Sequence, residues 1–223
     1  MRNEFLTELI SLCPFLDEKK AEKMADYYEE LIKTNEKLNL TAITAPKEAA
    51  KKHFADSLSA KDILPQKAHV LDVGTGGGFP GVPLKIARED IKLTVLDSVA
   101  KKVAAVEEMA KNAGVDIACV SARAEEYDMR GQFDCVISRA VAALPVLMEL
   151  CVPLVRLGGM FIAYKQADAE DIKNTSKAQK ELGCTLLKKI KTDDKVLLIF
   201  EKTAKTPSQY PRRYAKIKSR PLV

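Results

Sequence analysis

Residues 69–83, HVLDVGTGGGFPGVP, set five glycines and two prolines directly behind a short apolar run. The apolar run reads as a strand. Glycines after it let the chain take positive φ and bring backbone N–H groups close to a ligand, with no side chains in the way. Seven such residues in fifteen exceed what a tight turn needs. The segment therefore predicts a strand ending at Val73, a loop over residues 74–78, and a helix with Pro80 near its first turn. In α/β sheets, ligands lie in the crevice beyond the carboxyl ends of such strands.

Downstream, short β-rich runs alternate with helical spacing: HVLDV, KLTVLD, DIACV, FDCVIS and GMFIAYK, followed by TLLKKI and KVLLIFEK. Alternation of this kind predicts a mostly parallel sheet with helices on both faces. Between the last two runs Thr192, Asp193 and Asp194 leave room only for a turn, so these runs should form an antiparallel hairpin at the sheet edge. The fold class expected is α/β and Rossmann-like, with seven strands. Upstream, residues 3–12 and 18–38 have helical spacing, and Met24, Tyr27, Tyr28, Leu31 and Ile32 make an apolar stripe suited to core packing. Residues 39–64 read as a turn and a helix. The organisation expected is a helical extension over 1–64, a core over 65–202 and a basic tail over 203–223.

Composition excludes several classes. The 223 residues are 47% hydrophobic and 30% charged, no window approaches 18 uninterrupted apolar residues, and the start MRNEFLTELI lacks a basic region leading into an apolar signal core. A cytoplasmic protein with no membrane partner is expected. The five cysteines are widely spaced and form no pair of metal-ligand spacing, and His53 and His69 are the sole histidines, so no metal site is expected. The net charge of +5 hides an asymmetry: Lys202 to Val223 hold seven Lys/Arg and no acid, leaving 29 basic against 31 acidic side chains before them. Arg212, Arg213, Lys216, Lys218 and Arg220 offer charges for phosphates, Tyr210 and Tyr214 offer rings for stacking, and Pro211 and Pro221 favour an extended course along RNA. Residues 1–36 carry nine acids and five bases, which argues against the N-terminal helices as the main RNA surface.

Two cofactor registers fit the glycine loop. Gly76, Gly78 and Gly81 satisfy G-x-G-x-x-G, with Asp97 placed 21 residues beyond Gly76 to meet a dinucleotide ribose. Alternatively Asp72, Gly74, Gly76 and Gly78 form the acidic-residue-first pattern of S-adenosylmethionine sites, with the Asp72 carboxylate projecting toward the cofactor amino group. Asp72 itself, the C-terminal hairpin and the lack of chain for a second catalytic domain favour the second register. Asp97 serves ribose hydroxyls in either.

The chain also resembles a family, the bacterial small-subunit ribosomal RNA guanine-N7 methyltransferases (RsmG, also GidB). The resemblance runs from about Asn39 to the C-terminus on NLTAI (39–43), HFADSL (53–58), VLDVGTGGGFPGVPLKIA (70–87), RAEE (123–126), SRAVAALP (138–145) and YPRR (210–213). It implies a class I S-adenosylmethionine-dependent methyltransferase acting on N7 of a guanine in 16S rRNA, guanine 527 in the usual rRNA numbering. It further implies that Gly74 and Phe79 line the cofactor, Asp97 holds the ribose, Ala124 and Glu125 lie against the adenine, and Arg139 reaches the cofactor or the target base as the catalytic residue. His53 and Asp56 are site candidates, His53 toward RNA. The partner implied is 16S rRNA or a small-subunit particle, met by a monomer. Guanine N7 carries a lone pair at neutral pH, which agrees with the lack of an evident general base. A dinucleotide oxidoreductase would leave RAEE, SRA and the basic tail without a role, and a non-catalytic ribosome-assembly factor would leave the glycine loop without one.

Overall fold

Seven strands make one sheet in the computed structural model, which describes residues 1–139, 141–168, 173–191 and 195–223. They are β1 (His69–Val73), β2 (Lys92–Asp97), β3 (Ala118–Ser121), β4 (Phe133–Arg139), β5 (Val155–Gln166), β6 (Cys184–Lys191) and β7 (Lys195–Lys202), in the spatial order β3-β2-β1-β4-β5-β7-β6. β1 pairs in parallel with both β2 and β4, and four of its five residues are buried, the mark of a strand covered on both faces. The connections leave β1 toward β2 on one side and reach β4 on the other. The crevice at the carboxyl ends of β1 and β4 is thus the topological switch point, where α/β sheets take their ligands. β7 runs antiparallel to β5 and β6, so the expected edge hairpin is present, while its Thr192–Asp194 turn lies outside the described residues.

Helices α1 (Arg2–Leu12) and α2 (Glu18–Leu38) follow the expected spacing, and Asp17 caps α2 by accepting a hydrogen bond from the Lys20 N–H at 2.8 Å. Their apolar faces do not form a separate body. Phe5, Leu9, Met24, Tyr27, Tyr28 and Leu31 share one continuous core cluster with Val70, Val95 and Ile137 of the sheet, and Phe5 stacks on Tyr28 at 4.4 Å. Ile32 of the expected stripe packs at the margin of that cluster. The helix expected in residues 39–64 runs as α3 (Pro46–Ala49), a π-helical stretch (Ala50–Ala55) and α4 (Asp56–Leu58). The wider π turn is a feature that helical spacing alone does not announce, and such turns gather at functional sites.

The opposite sheet face carries α7 (Leu144–Cys151) and, against it, the C-terminal tail, with α5 (Gly81–Ala87), α6 (Ala100–Asn112) and α8 (Ser176–Leu182) completing the helical layers. Here the expectation of an extended course for the tail is corrected. Residues 203–223 fold onto the core: Tyr210, Ile217 and Leu222 are buried with Leu144, Leu147 and Phe200, and Tyr214–Ser219 form a short helix, α9. Three apolar side chains spaced along the segment hold it down despite its charge.

Candidate active site

Asp72 organises the glycine loop from beneath. Its fully buried carboxylate accepts hydrogen bonds at Oδ2 from the Thr75 hydroxyl at 2.8 Å and the Gly81 N–H at 2.9 Å, tying both ends of the loop to the strand. Burial raises this carboxyl to about 6, and Oδ1 has no hydrogen-bond partner. A Cβ on Gly81 would stand 2.8 Å from Asp72 Oδ2, so glycine is required for that approach. Two of the expected cofactor residues lie off the cavity wall. Asp72 is buried beneath the loop, where its Oδ2 holds the helix start. Gly78 packs against the Tyr27 hydroxyl, which donates to the Gly77 carbonyl at 3.0 Å, and it too stands apart from the cavity wall.

Gly74 and Gly76 do line the cavity, with φ of 72° and 56°. The space that a side chain on Gly76 would enter is open for 4 Å. The cavity is about 500 Å³, within the range of small-molecule sites, and opens beyond the carboxyl ends of β1, β2 and β4. Half-buried Asp97 ends β2 there. Its Oδ2 accepts from the Gly76 N–H at 3.1 Å and its Oδ1 from the Val99 N–H at 3.0 Å, so the acid is oriented by backbone and retains lone pairs for a ligand. Ala124 and Glu125, in a 3₁₀ turn, form the adjoining wall, where Glu125 pairs with Arg123 at 2.6 Å.

At the other end Arg139, the last residue of β4, is held by three residues of two adjoining elements, the π-helical stretch and α4. Its guanidinium donates to Asp56 Oδ2 at 2.8 Å, to the Lys52 carbonyl at 3.0 Å and toward His53 Nδ1 at 3.4 Å. The His53 ring stacks on Phe79 at 4.6 Å, and the guanidinium carbon of Arg139 lies 5.3 Å from the centre of the same Phe79 ring. Burial, then the nearby Arg139 charge, lowers His53 to about 4, so the imidazole is neutral at physiological pH. The π-helical stretch thus delivers His53 into the cavity wall and leads into α4, whose first residue, Asp56, meets Arg139; Ala140 of the SRA motif lies outside the described residues.

Sequence reasoning misses several cavity residues, Thr41 and Tyr214 among them. Thr41, inside NLTAI, lines the cavity beside His53. Tyr214 of α9 lies against the Ala124–Glu125 wall, its ring 4.9 Å from the Arg123 guanidinium carbon. Tyr214 is legible as an aromatic in a basic tail, and that signal points to base stacking. Arg212 is also corrected: it is engaged with buried Glu149 and is not free for phosphate, whereas Arg213, Lys216, Lys218 and Arg220 are exposed. Among the described residues no group of three or more His, Cys, Asp or Glu could hold a metal ion, and no helix is long and apolar enough to cross a membrane.

The residues present suit S-adenosylmethionine. The space in front of Gly76 is open, Asp97 retains lone pairs that could accept from hydroxyl groups, and Ala124 and Glu125 form a wall against which a flat base would fit. Comparison with known proteins agrees. Among solved structures the fold is similar to a SAM-dependent methyltransferase from Aquifex aeolicus (TM-score 0.58, 14% identity, 73% of this chain and 95% of that one). It is equally similar to a ribosomal protein L11 methylase from Lactobacillus delbrueckii subsp. bulgaricus (TM-score 0.57, 19% identity, 69% and 80%). In sequence it is 45% identical to a ribosomal RNA small subunit methyltransferase G from Desulforamulus reducens, over 84% of each chain. The same-named protein of Desulfitobacterium hafniense is 40% identical over 91% of this chain and 89% of its own. The family described as rRNA small subunit methyltransferase G (GidB) matches residues 20–196. With a glycine loop braced by Asp72, an acid at the end of β2 and an arginine at the end of β4 in the same sheet, the chain belongs to this methyltransferase G family.

Proposed function

We propose that the protein transfers a methyl group from S-adenosylmethionine to N7 of a guanine in 16S rRNA, guanine 527 in the usual rRNA numbering. It acts in the cytoplasm as a monomer, with naked rRNA or a small-subunit particle as partner and no membrane involved. The observation that carries this reading is the cavity itself. It has an oriented acid, Asp97, at one end and an immobilised cation, Arg139, at the other, joined by the glycine loop at the switch point of the sheet.

S-adenosylmethionine supplies an electrophilic methyl group on a sulfonium, which a guanine N7 lone pair can take without first losing a proton. The protein accordingly has orientation to provide more than proton transfer. His53 is neutral and half-buried, and its nitrogens are occupied by Thr41 and Arg139, so it acts as packing and alignment for Phe79 and Arg139. Arg139 is held by Asp56 and the Lys52 carbonyl, which fixes its remaining N–H groups at the β4 end of the cavity. Gly74, Gly76, Phe79, Asp97, Ala124 and Glu125 hold the cofactor. The exposed cations Arg213, Lys216, Lys218 and Arg220 lie on the tail, whose Tyr214 borders the cavity, and they suit contact with RNA phosphates near the site.

The test is direct. Purified protein is given methyl-labelled S-adenosylmethionine with small-subunit RNA or with particles, and the labelled nucleotide is mapped. Label at one guanine, in a form that gives the strand cleavage characteristic of an N7-methylated base, is the expected result. Label elsewhere, or none on either substrate together with binding of NAD, would overturn the reading.

A further inference from the structure

Thr41 is held more firmly than a loop threonine needs to be. The Asn35 side chain, in the last turns of α2, grips its backbone at both ends: Oδ1 accepts the Thr41 N–H at 2.8 Å and Nδ2 donates to the Thr41 carbonyl at 2.9 Å. The hydroxyl is equally constrained. The Ile43 N–H donates to Thr41 Oγ1 at 3.0 Å, and His53 Nε2 lies 2.7 Å from the same oxygen.

The direction of the His53 bond follows from Arg139. A guanidinium can only donate, so the His53 Nδ1 that faces it at 3.4 Å must present its lone pair. In a neutral imidazole the proton then sits on Nε2, and Nε2–H donates to Thr41 Oγ1. A hydroxyl oxygen accepts two hydrogen bonds and donates one. Ile43 and His53 fill both acceptor positions, which leaves Thr41 with its hydrogen alone. Among the described residues no acceptor takes that hydrogen, and Thr41 lines the cavity. Arg139, its neighbour in that wall, is also a pure donor.

This end of the cavity is therefore a wall of hydrogen-bond donors, away from the Asp97 and Ala124–Glu125 end. Resting on the reading that the substrate is a guanine methylated at N7, we infer that Thr41 is a specificity-determining residue: its hydroxyl donates to the O6 carbonyl beside the reacting nitrogen. Guanine presents two acceptors on that edge, whereas adenine places an amino group where O6 would be. A donor that has lost its freedom to accept matches guanine and leaves adenine facing it hydrogen to hydrogen. The Arg139–His53–Thr41 chain fixes that polarity through the histidine tautomer, which accounts for a histidine in a site that transfers no proton.

The test compares Thr41→Val with the wild type on small-subunit RNA carrying either guanine or 2-aminopurine at the methylated position. 2-Aminopurine keeps N7 and lacks O6. Its lower intrinsic reactivity cancels when the guanine to 2-aminopurine rate ratio is compared between the two proteins. The wild-type ratio is expected to exceed the Thr41→Val ratio about tenfold, the loss falling on guanine alone, while Thr41→Ser keeps the wild-type ratio. S-adenosylmethionine affinity by calorimetry should be the same in all three proteins. Equal ratios in wild type and Thr41→Val would overturn the assignment, and so would a fall in cofactor affinity matching the fall in rate, which would place the hydroxyl on the cofactor carboxylate. Should Thr41→Val fail to fold, Thr41→Cys, with a thiol that donates only weakly, carries the same comparison. A wild-type protein that methylates no guanine in either RNA would instead sink the functional reading and this inference with it, a different result from equal ratios.

Discussion

Arg212 and Glu149 meet inside the fold. The guanidinium donates from Nε to Glu149 Oε1 at 2.7 Å and from a terminal nitrogen to Oε2 at 2.6 Å, the Arg212 backbone N–H adds a third bond at 2.9 Å, and the glutamate side chain has no exposed surface. A two-pronged pair of this kind is the strongest form of charged hydrogen bond. It converts an arginine that sequence would give to RNA into the rivet between the tail and α7.

Removing the cation leaves a buried carboxylate without a partner. Arg212→Gln should lower unfolding stability by about 3 kcal/mol in urea titration. Replacing both partners with apolar residues, Glu149→Leu with Arg212→Met, should cost less than the single change. A single variant as stable as wild type would show that the pair is solvated.

RNA binding should depend on the four exposed cations that follow Arg212. With Arg213, Lys216, Lys218 and Arg220 all changed to Gln, the dependence of log affinity on log salt should flatten by about 0.7 for each single-stranded phosphate no longer neutralised. S-adenosylmethionine affinity should hold. An unaltered salt slope would place the RNA grip on another surface, with Lys47, Lys51 and Lys52 as the next to replace.

The glycine loop separates binding from folding. Gly76→Val forces a β-branched side chain to positive φ and fills open cavity, so calorimetry should detect no S-adenosylmethionine binding while the protein still melts cooperatively. Gly78→Val should fail differently, by driving into Tyr27 and lowering stability outright.

On the proposed function Asp97 has two duties, holding the ribose and bracing the loop backbone, and one substitution exposes both. Asp97→Ala removes the acceptor for ribose hydroxyls and frees the N–H groups of Gly76 and Val99. Cofactor affinity should fall about tenfold or more, RNA affinity should change little, and stability should drop by roughly 1 kcal/mol. Equal loss of both ligands would mean that the loop has collapsed.

Acid should weaken the fold through His53. Its pKa is lowered to about 4 in the folded chain against about 6.5 when exposed, so below pH 6.5 the unfolded chain takes up protons that the folded chain refuses. Stability from this group is complete above pH 6.5 and lost as pH falls toward 4, by about 2 kcal/mol at pH 5. Asp72, raised to about 6, works in the opposite sense, favouring the fold as pH drops through 6 toward 3.8. The difference between wild type and His53→Asn in chemical unfolding at pH 7 and pH 5 isolates the histidine; identical pH dependence in the two would refute the assignment.

Much of the architecture is readable in the chain because the periodicities are local. The run HVLDV and its glycines specify a strand, a loop and a helix start within a few residues, and the same locality exposes α2 and the strand alternation. What escapes such reading is set by distant partners. Nothing near Asp72 in the chain reveals that Gly81, nine positions on, claims its oxygen, so the acid reads as a cofactor ligand. The tail reads by its charge, yet its course is decided by Ile217 and Leu222 finding the apolar face of α7. One clue does stand in the sequence: Glu149 is the lone acid in the apolar helix LPVLMELC, and a buried acid needs a cation from elsewhere in the chain. Thr41 needs three dimensions, since Asn35 and His53 lie on separate elements and together decide which way its hydroxyl hydrogen points.

Tyr214 borders the cavity only because the last twenty or so residues fold back across the sheet face, and this orders events during synthesis. A ribosome makes the glycine loop well before this ring, and several dozen residues remain sheathed in the exit tunnel at any moment. The wall beside the Arg123–Glu125 turn is thus completed only once Tyr214 has cleared the tunnel, so a nascent chain can have every glycine of the loop and still lack a finished pocket. Chains stalled before residue 210 should retain S-adenosylmethionine less well than released protein in a pull-down with labelled cofactor; equal retention would show that the ring is dispensable to the pocket.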